Sequence, residues 1–336
     1  MENRDPLIVV GVCAPERRKY AASLAKATDG HLISLAERPP SQGEEELHLS
    51  TTPPRLDPKP SRIVADISAG LDLPHLGLAA DPRAAVVCVV DAVHMLDDLR
   101  DGRPLMDAAP DGDDRGDFGS RARRTVSFLE GATLIVLVNW DSVATADLAL
   151  LMTIASHLSP AARVRLSREA AEDVRSLSSV RQEPAPLLER AGWVHALNDE
   201  HDPYMTDPRV TTLRYEQQRP FHPARLSAAL NDIDAGSYGA VLRSAGFCRL
   251  ATRPGILARW DHVGSAIWID PLSSDIETAT TAQDISLTGL NLDPGGIRRA
   301  LDGAALTDDE LTAGPAAWRR FADPLPSWPM IVEELP

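Results

Sequence analysis

The side chains able to do chemistry are few and widely spaced. Cys13, Cys88 and Cys248 are the only thiols of the 336-residue chain, and no two of them form a C-x-x-C pair. Disulfide frameworks and local thiolate zinc sites both draw on closely spaced cysteines, so neither is expected. Each cysteine reads instead as a small buried hydrophobe. His31, His48 and the Glu44–Glu46 run are scattered and read as solvated loop residues. The patterns H-E-x-x-H and G-x-S-x-G are absent, and with them the zincin and nucleophile-elbow routes to hydrolysis. What does gather is arginine. Between Arg214 and Arg259 seven arginines oppose Glu216, Asp232 and Asp234, whereas from Asp270 onward twelve acids oppose four arginines. A mildly basic module thus precedes an acidic tail. The whole chain carries a formal charge of −15, which repels phosphate backbones and argues against broad nucleic-acid contact, DNA included.

The elements that must position these groups follow from hydrophobic patterning. Continuous apolar runs at 7–12 (LIVVGV), 84–90 (AAVVCVV) and 134–138 (LIVLV) suit strands buried on both faces of a parallel sheet. Shorter strands are expected at 31–35, 62–67 and 162–166, and helices over 15–28, 92–99, 121–130 and 145–158. The stretches 38–60 and 101–117, rich in Pro and Glu or in Asp and Gly, read as loops. Strands alternating with helices imply βαβ units. The polar segment 199–207 reads as a boundary. Beyond it come strands at 210–215, 241–252, 264–269 and 284–290, with helices at 223–230 and 294–301, a smaller α+β pattern. The expected division is therefore 1–205 and 209–336. No apolar run approaches the ~20 residues of a membrane span, and Met1–Asp5 lacks the features of a signal peptide, so a cytoplasmic protein is expected.

Several segments, in order, resemble the CobW family of metal-linked P-loop GTPases. They are IVADISAGLDLP (63–74), VVCVVDAVHMLDDL (86–99), LIVLVNWD (134–141) and LSPAARV (158–164). The longest similarities are RPFHPARL (219–226), VLRSAGFCRLATRP (241–254) and ALTDDELTAGPAAWRRFADPLPSWP (305–329), which look like the CobW C-terminal domain. The resemblance implies a GTPase-like parallel sheet flanked by helices, followed by the smaller α+β domain.

That family's chemistry needs a phosphate loop, G-x-x-x-x-G-K-[ST], with glycines that let backbone N–H groups close on phosphates, a Lys on the β- and γ-phosphates and a hydroxyl on Mg2+. The corresponding stretch here, GVCAPERRKYAAS (11–23), keeps Gly11 and no G-K-[ST]. Pro15 removes a donor and Glu16 adds a negative charge. Lys19 stands nearby, followed by Tyr20 rather than a small hydroxyl. Asp66 and Ile67 replace the Glu and Thr of the second phosphate-side motif. At the base-reading motif Asn139 and Asp141 remain, while Trp140 stands at the Lys position and the spacing is shorter by one. Gly11, Asn139 and Asp141 are thus the remnant of a nucleotide site, and Asp141 is expected to cap the next helix. The family's C-x-C-C metal motif has no counterpart before Ile63.

The resemblance implies two functions. A branch from actinobacteria with an eroded phosphate loop recruits a ribosome hibernation factor under zinc starvation, and the Ala-, Arg-, Asp- and Pro-rich, Lys-poor composition suits a high-GC bacterium. On that reading no cofactor is expected, the partner is a hibernation factor or ribosomal protein, and the contact surface centres on Arg219, Arg225, Arg243 and Arg253, with Trp260, Trp268, Trp318 and Trp328 as anchors. The alternative is a GTP- and Mg2+-dependent metallochaperone carrying zinc or cobalt.

Overall fold

The structure, a computed structural model, describes residues 5–38, 48–51, 62–71, 84–103, 105, 120–178, 187–272 and 283–328. It divides into two compact units, 1–195 with 200–207, and 196–199 with 208–336.

The first unit is built on a seven-stranded sheet. Its strands are β1 (Leu7–Val10), β2 (His31–Arg38), β3 (His48–Thr51), β4 (Ile63–Ile67), β5 (Ala85–Asp91), β6 (Leu134–Val138) and β7 (Arg163–Leu166), in the spatial order β3-β2-β4-β1-β5-β6-β7. Six strands run parallel, and β3 adds an antiparallel edge through Leu35↔Thr51 and Arg38↔His48. β3 lies inside the stretch read from sequence as a loop. Its four residues are too few to set a period, and pairing with β2 supplies what local pattern does not. The segment 106–119 and most of 39–60 lie outside the described residues.

The apolar runs are buried on both faces, as parallel strands require. Leu7, Val9, Val87, Val89, Leu134 and Val136 share one cluster with Tyr20 and Leu24 of α1 (Ala14–Ala27). Ile8, Val10, Val86, Cys88 and Ile135 alternate with them and are also buried. The remaining helices of this unit are α2 (Met95–Asp98), α3 (Arg121–Glu130), α4 (Thr145–Leu158), α5 (Ala170–Ser178) and α6 (Gly192–Leu197). Ser120 caps α3 by accepting from the Arg123 N–H. The chain leaves β1 toward β2 on one side, and from β5 it continues to β6 and β7 on the other. The C-terminal ends of β1 and β5 therefore flank the point where the strand order reverses, the usual place for a ligand in such sheets. Among the described residues no helix is long and apolar enough to cross a membrane.

The second unit is a five-stranded antiparallel sheet, ordered β11-β10-β9-β12-β8. Its strands are β8 (Val210–Gln217), β9 (Ala240–Cys248), β10 (Ala258–Val263), β11 (Ala266–Pro271) and β12 (Gln283–Leu290). Helices α7 (Pro223–Asp234) and α8 (Pro294–Ala304) bury Leu226, Ile233, Ile297 and Leu301 against Leu213, Tyr215, Trp260, Ile285 and Leu287. Two short helices follow, α9 (Asp308–Ala313) and α10 (Pro315–Trp318). Sequence patterning reads 264–269 as one strand, whereas the structure has a hairpin of β10 and β11 turning at Gly264, which takes φ +60°.

Candidate functional site

Gly11 ends β1 at φ +151°, and a Cβ there would stand 2.3 Å from the Val89 carbonyl oxygen of β5. Close approach of two strands therefore requires this glycine, whatever the loop binds. Helix α1 begins three residues later, with Pro15 in its first turn and Glu16 as its first-turn acid.

Counting from Gly11, the second glycine of G-x-x-x-x-G-K-[ST] falls on Glu16, the Lys on Arg17 and the hydroxyl on Arg18. Attention to Lys19 and Tyr20 misses this register, which the fixed spacing from Gly11 reveals. Lys19 and Arg18 are exposed, whereas Arg17 is buried at 2%. The Arg17 guanidinium turns back into the loop. Its Nε donates to Asp66 Oδ1 at 2.6 Å and its Nη1 to the Gly11 carbonyl oxygen at 2.8 Å. Asp66, the last but one residue of β4, lies beside β1 in register with Val9. The side chains of this pair are 3% and 5% exposed. Tyr20 points elsewhere, donating to Asp173 Oδ2 at 3.0 Å. Asp173 is fully buried and also accepts from Arg165 and Ser167. Burial and the Asp173 carboxylate push the Tyr20 hydroxyl pKa far up.

Beside this plug lies a second group. Cys13 donates to Asp98 Oδ2 at 3.5 Å, and Arg121 donates to Asp98 Oδ1 at 2.5 Å and to Cys13 Sγ at 3.4 Å. Burial, with Asp98 adding to it, pushes the Cys13 thiol up to about 12. Asp91 ends β5, 4% exposed. Its oxygens accept from the Val93 N–H at 2.9 Å and the Asn139 side-chain amide at 3.0 Å. Ligand atoms of Cys13, Glu16 and Asp91 all lie within 4.8 Å of one another. The cavity bordered by Gly11, Cys13, Cys88, Asp91, Asp98 and Phe128 has a volume of about 10 Å3, room for about one water.

The structure thus brings Gly11 and Asn139 to the same sheet end and leaves Asp141 out. Asn139 takes the left-handed conformation, φ +55°, and directs its amide to Asp91. Asp141 is exposed in a single 3-10 turn, Trp140–Ser142. It does not cap α4. Ala144 holds that position without a side-chain bond, because the turn and two further residues intervene. Trp140, at the base-reading Lys position, donates Nε1 to the Ser167 carbonyl at 2.9 Å and lies under the Arg168 guanidinium.

The four arginines of the second unit are not gathered into one exposed patch. Arg219 bonds Asp308 at 2.5 Å and Arg225 grips both oxygens of Glu310 at 2.8 and 2.6 Å. Arg243, 4% exposed, pairs with Asp261. Arg253 pairs with Asp323 at 3.2 Å and lies 4.3 Å over the Trp328 ring. Of the tryptophans, Trp260 is buried, while Trp268, Trp318 and Trp328 are half-buried. Trp260 is 1% exposed, Trp318 donates to the Glu310 carbonyl at 2.6 Å and Trp328 to that of Ile269 at 2.6 Å. Thr307 and Glu310 close a capping box on α9. The motifs RPFHPAR, TRP, DDEL and DP-x-P-x-W are therefore partners of one another. They strap the segment 305–328 onto the sheet.

A GTPase-like α/β sheet followed by an antiparallel sheet with two helices defines the class. The profile described as cobalamin synthesis protein cobW C-terminal domain matches residues 210–305. A protein of Mycobacterium tuberculosis named as a zinc chaperone is 28% identical over 334 residues, spanning 88% of this chain and 75% of that protein. The zinc-regulated GTPase metalloprotein activator 1 of Dictyostelium discoideum is 26% identical over 270 residues, spanning 71% and 55%. The Zn(II)-bound YjiA GTPase structure from E. coli is 14% identical, spans 73% of this chain and 71% of its own, and has a TM-score of 0.32. Residues 210–305 are thus a CobW-type C-terminal domain, and the chain is similar over most of its length to a zinc chaperone.

Proposed function

We propose that this chain is a member of the CobW family that serves zinc homeostasis by binding a protein partner and not by hydrolysing GTP. One observation carries the reading: Arg17, at the position of the phosphate-binding Lys, is committed to Asp66 and the Gly11 carbonyl. A phosphate-loop Lys works because its charge is free for the nucleotide. Here that charge is neutralised by a buried carboxylate, Glu16 stands where backbone must approach phosphate, and Arg18 replaces the Mg2+ hydroxyl. These residues do not fit Mg-GTP.

The zinc association rests on the names of the relatives, a zinc chaperone and a zinc-regulated activator. The partner is inferred from the resemblance of the motif series to that of the hibernation-factor-recruiting branch, and recruitment of such a factor to the ribosome is the specific task we assign. Affinity capture of the tagged chain from zinc-starved cells tests it. A hibernation factor or ribosomes should be enriched over a zinc-replete control, and enrichment of neither defeats the assignment. The second reading, a GTP-dependent zinc or cobalt metallochaperone, is favoured by the relatives' names and opposed by the geometry of Arg17.

A further inference from the structure

We propose that Cys13, Glu16 and Asp91 form a binding site for a single divalent cation of zinc's class at the mouth of the closed loop. The three donors come from three places in the fold: the turn after β1, the first turn of α1 and the end of β5. Their ligand atoms already stand within 4.8 Å of one another. Tetrahedral zinc with one sulfur and two oxygens needs about 3.6 Å between ligands, from bond lengths of about 2.3 and 2.1 Å. The ligand atoms must therefore draw together by up to about 1.2 Å on binding.

Charge supplies an independent argument. A buried carboxylate is ordinarily paired with a cation or bound to a metal. Asp91, 4% exposed, meets only a backbone N–H and a neutral amide, and among the described residues it has no cationic partner. Glu16 has no hydrogen-bond or ionic partner among the described residues either. The nearby arginines are committed elsewhere, Arg17 to Asp66 and Arg121 chiefly to Asp98. A doubly charged cation would compensate this anionic excess. On binding, the Cys13 thiol releases its proton to solvent and the sulfur turns from Asp98 to the metal, leaving one net negative charge on the site beside the Arg121–Asp98 pair. Three protein ligands leave the fourth position open to water or a ligand, the arrangement of an exchangeable site. The set differs from a C-x-C-C site, since it uses one thiolate and lies on the loop that a nucleotide would occupy. The inference does not rest on the recruitment reading, and each can fail alone.

The test is titration of the full chain with Co2+, then with Zn2+ against a chromophoric chelator. One equivalent should bind, with a thiolate-to-cobalt charge-transfer band that Zn2+ abolishes. Cys13→Ser should remove the band, and Glu16→Gln and Asp91→Asn should weaken binding more than about 10-fold. Asp97→Asn, at an exposed acid nearby, should change nothing. Circular dichroism and melting of each variant separate a lost ligand from a lost fold, and Glu16→Gln removes no hydrogen bond or ion pair among the described residues. Absence of the band in the parent chain, or equal affinity in folded Glu16→Gln and parent, overturns the proposal.

Discussion

The plugged loop of the first unit and the strap of the second are both made of arginine and carboxylate, yet they hold their charges differently. In the loop, Arg17 and Asp66 are 3% and 5% exposed and lie 49 residues apart. Two charges taken fully out of water are expensive to hold, and either one left alone is worse. In the strap, Arg225 and Glu310 are 34% and 24% exposed, and Arg219 and Asp308 are 37% and 84% exposed. Water shares the load there, so each pair contributes little and the aromatic contacts carry more. One arrangement closes a site and tolerates no single loss, and the other fastens a segment by many small terms.

Single substitutions sharpen that contrast. Arg17→Ala strands the Asp66 charge and should cost about 3–5 kcal/mol in denaturant unfolding, while Arg17→Met combined with Asp66→Leu should recover most of it. A cost under about 1 kcal/mol would mean that the pair does not close the loop. Next in size is pH. Burial, and then His201, lower the His157 pKa from 6.5 to about 4. The folded state thus binds fewer protons than the unfolded state in that window, so the stabilisation is complete above 6.5 and is lost as pH falls toward 4. The full loss is on the order of 3 kcal/mol, and His157→Gln should flatten the dependence. In the strap, Trp328→Ala should cost about 2 kcal/mol, through the Nε1 bond to Ile269, the Arg253 contact and partial burial. Arg225→Ala should cost about 1 kcal/mol. Its partner Glu310 is held at about 2 by Arg225, chiefly through their hydrogen bonds, so this contribution is present above 4.5 and fades as pH falls toward 2. The strap should therefore weaken at lower pH than the His157 region. Coincident acid transitions for parent, His157→Gln and Glu310→Gln chains would erase the contrast.

How legible these two regions are in the sequence differs for a physical reason. The apolar runs of β1, β5 and β6 announce a buried parallel sheet, because burial on both faces leaves few polar residues in them. Gly11 and Asn139 are legible from motif spacing. Arg17 is also legible, though only by counting five residues past Gly11 to Glu16 and one more. Asp66 as its partner is not, because a pairing across 49 residues depends on the parallel register of β1 and β4. The same holds for Arg243 with Asp261 and Arg253 with Asp323, where an apparent basic patch dissolves once the chain folds. Asp141 misleads because it belongs to a short 3-10 turn, invisible to periodicity, that ends before α4 begins.

On the proposed reading the Arg17–Asp66 pair stands where the phosphates of a nucleotide would lie. Isothermal calorimetry of the purified full chain with GTP and Mg2+ tests it most directly. No binding heat is expected at millimolar nucleotide, for the parent chain and for Arg18→Ser alike. Saturable binding of one equivalent of Mg-GTP at micromolar concentration would contradict it.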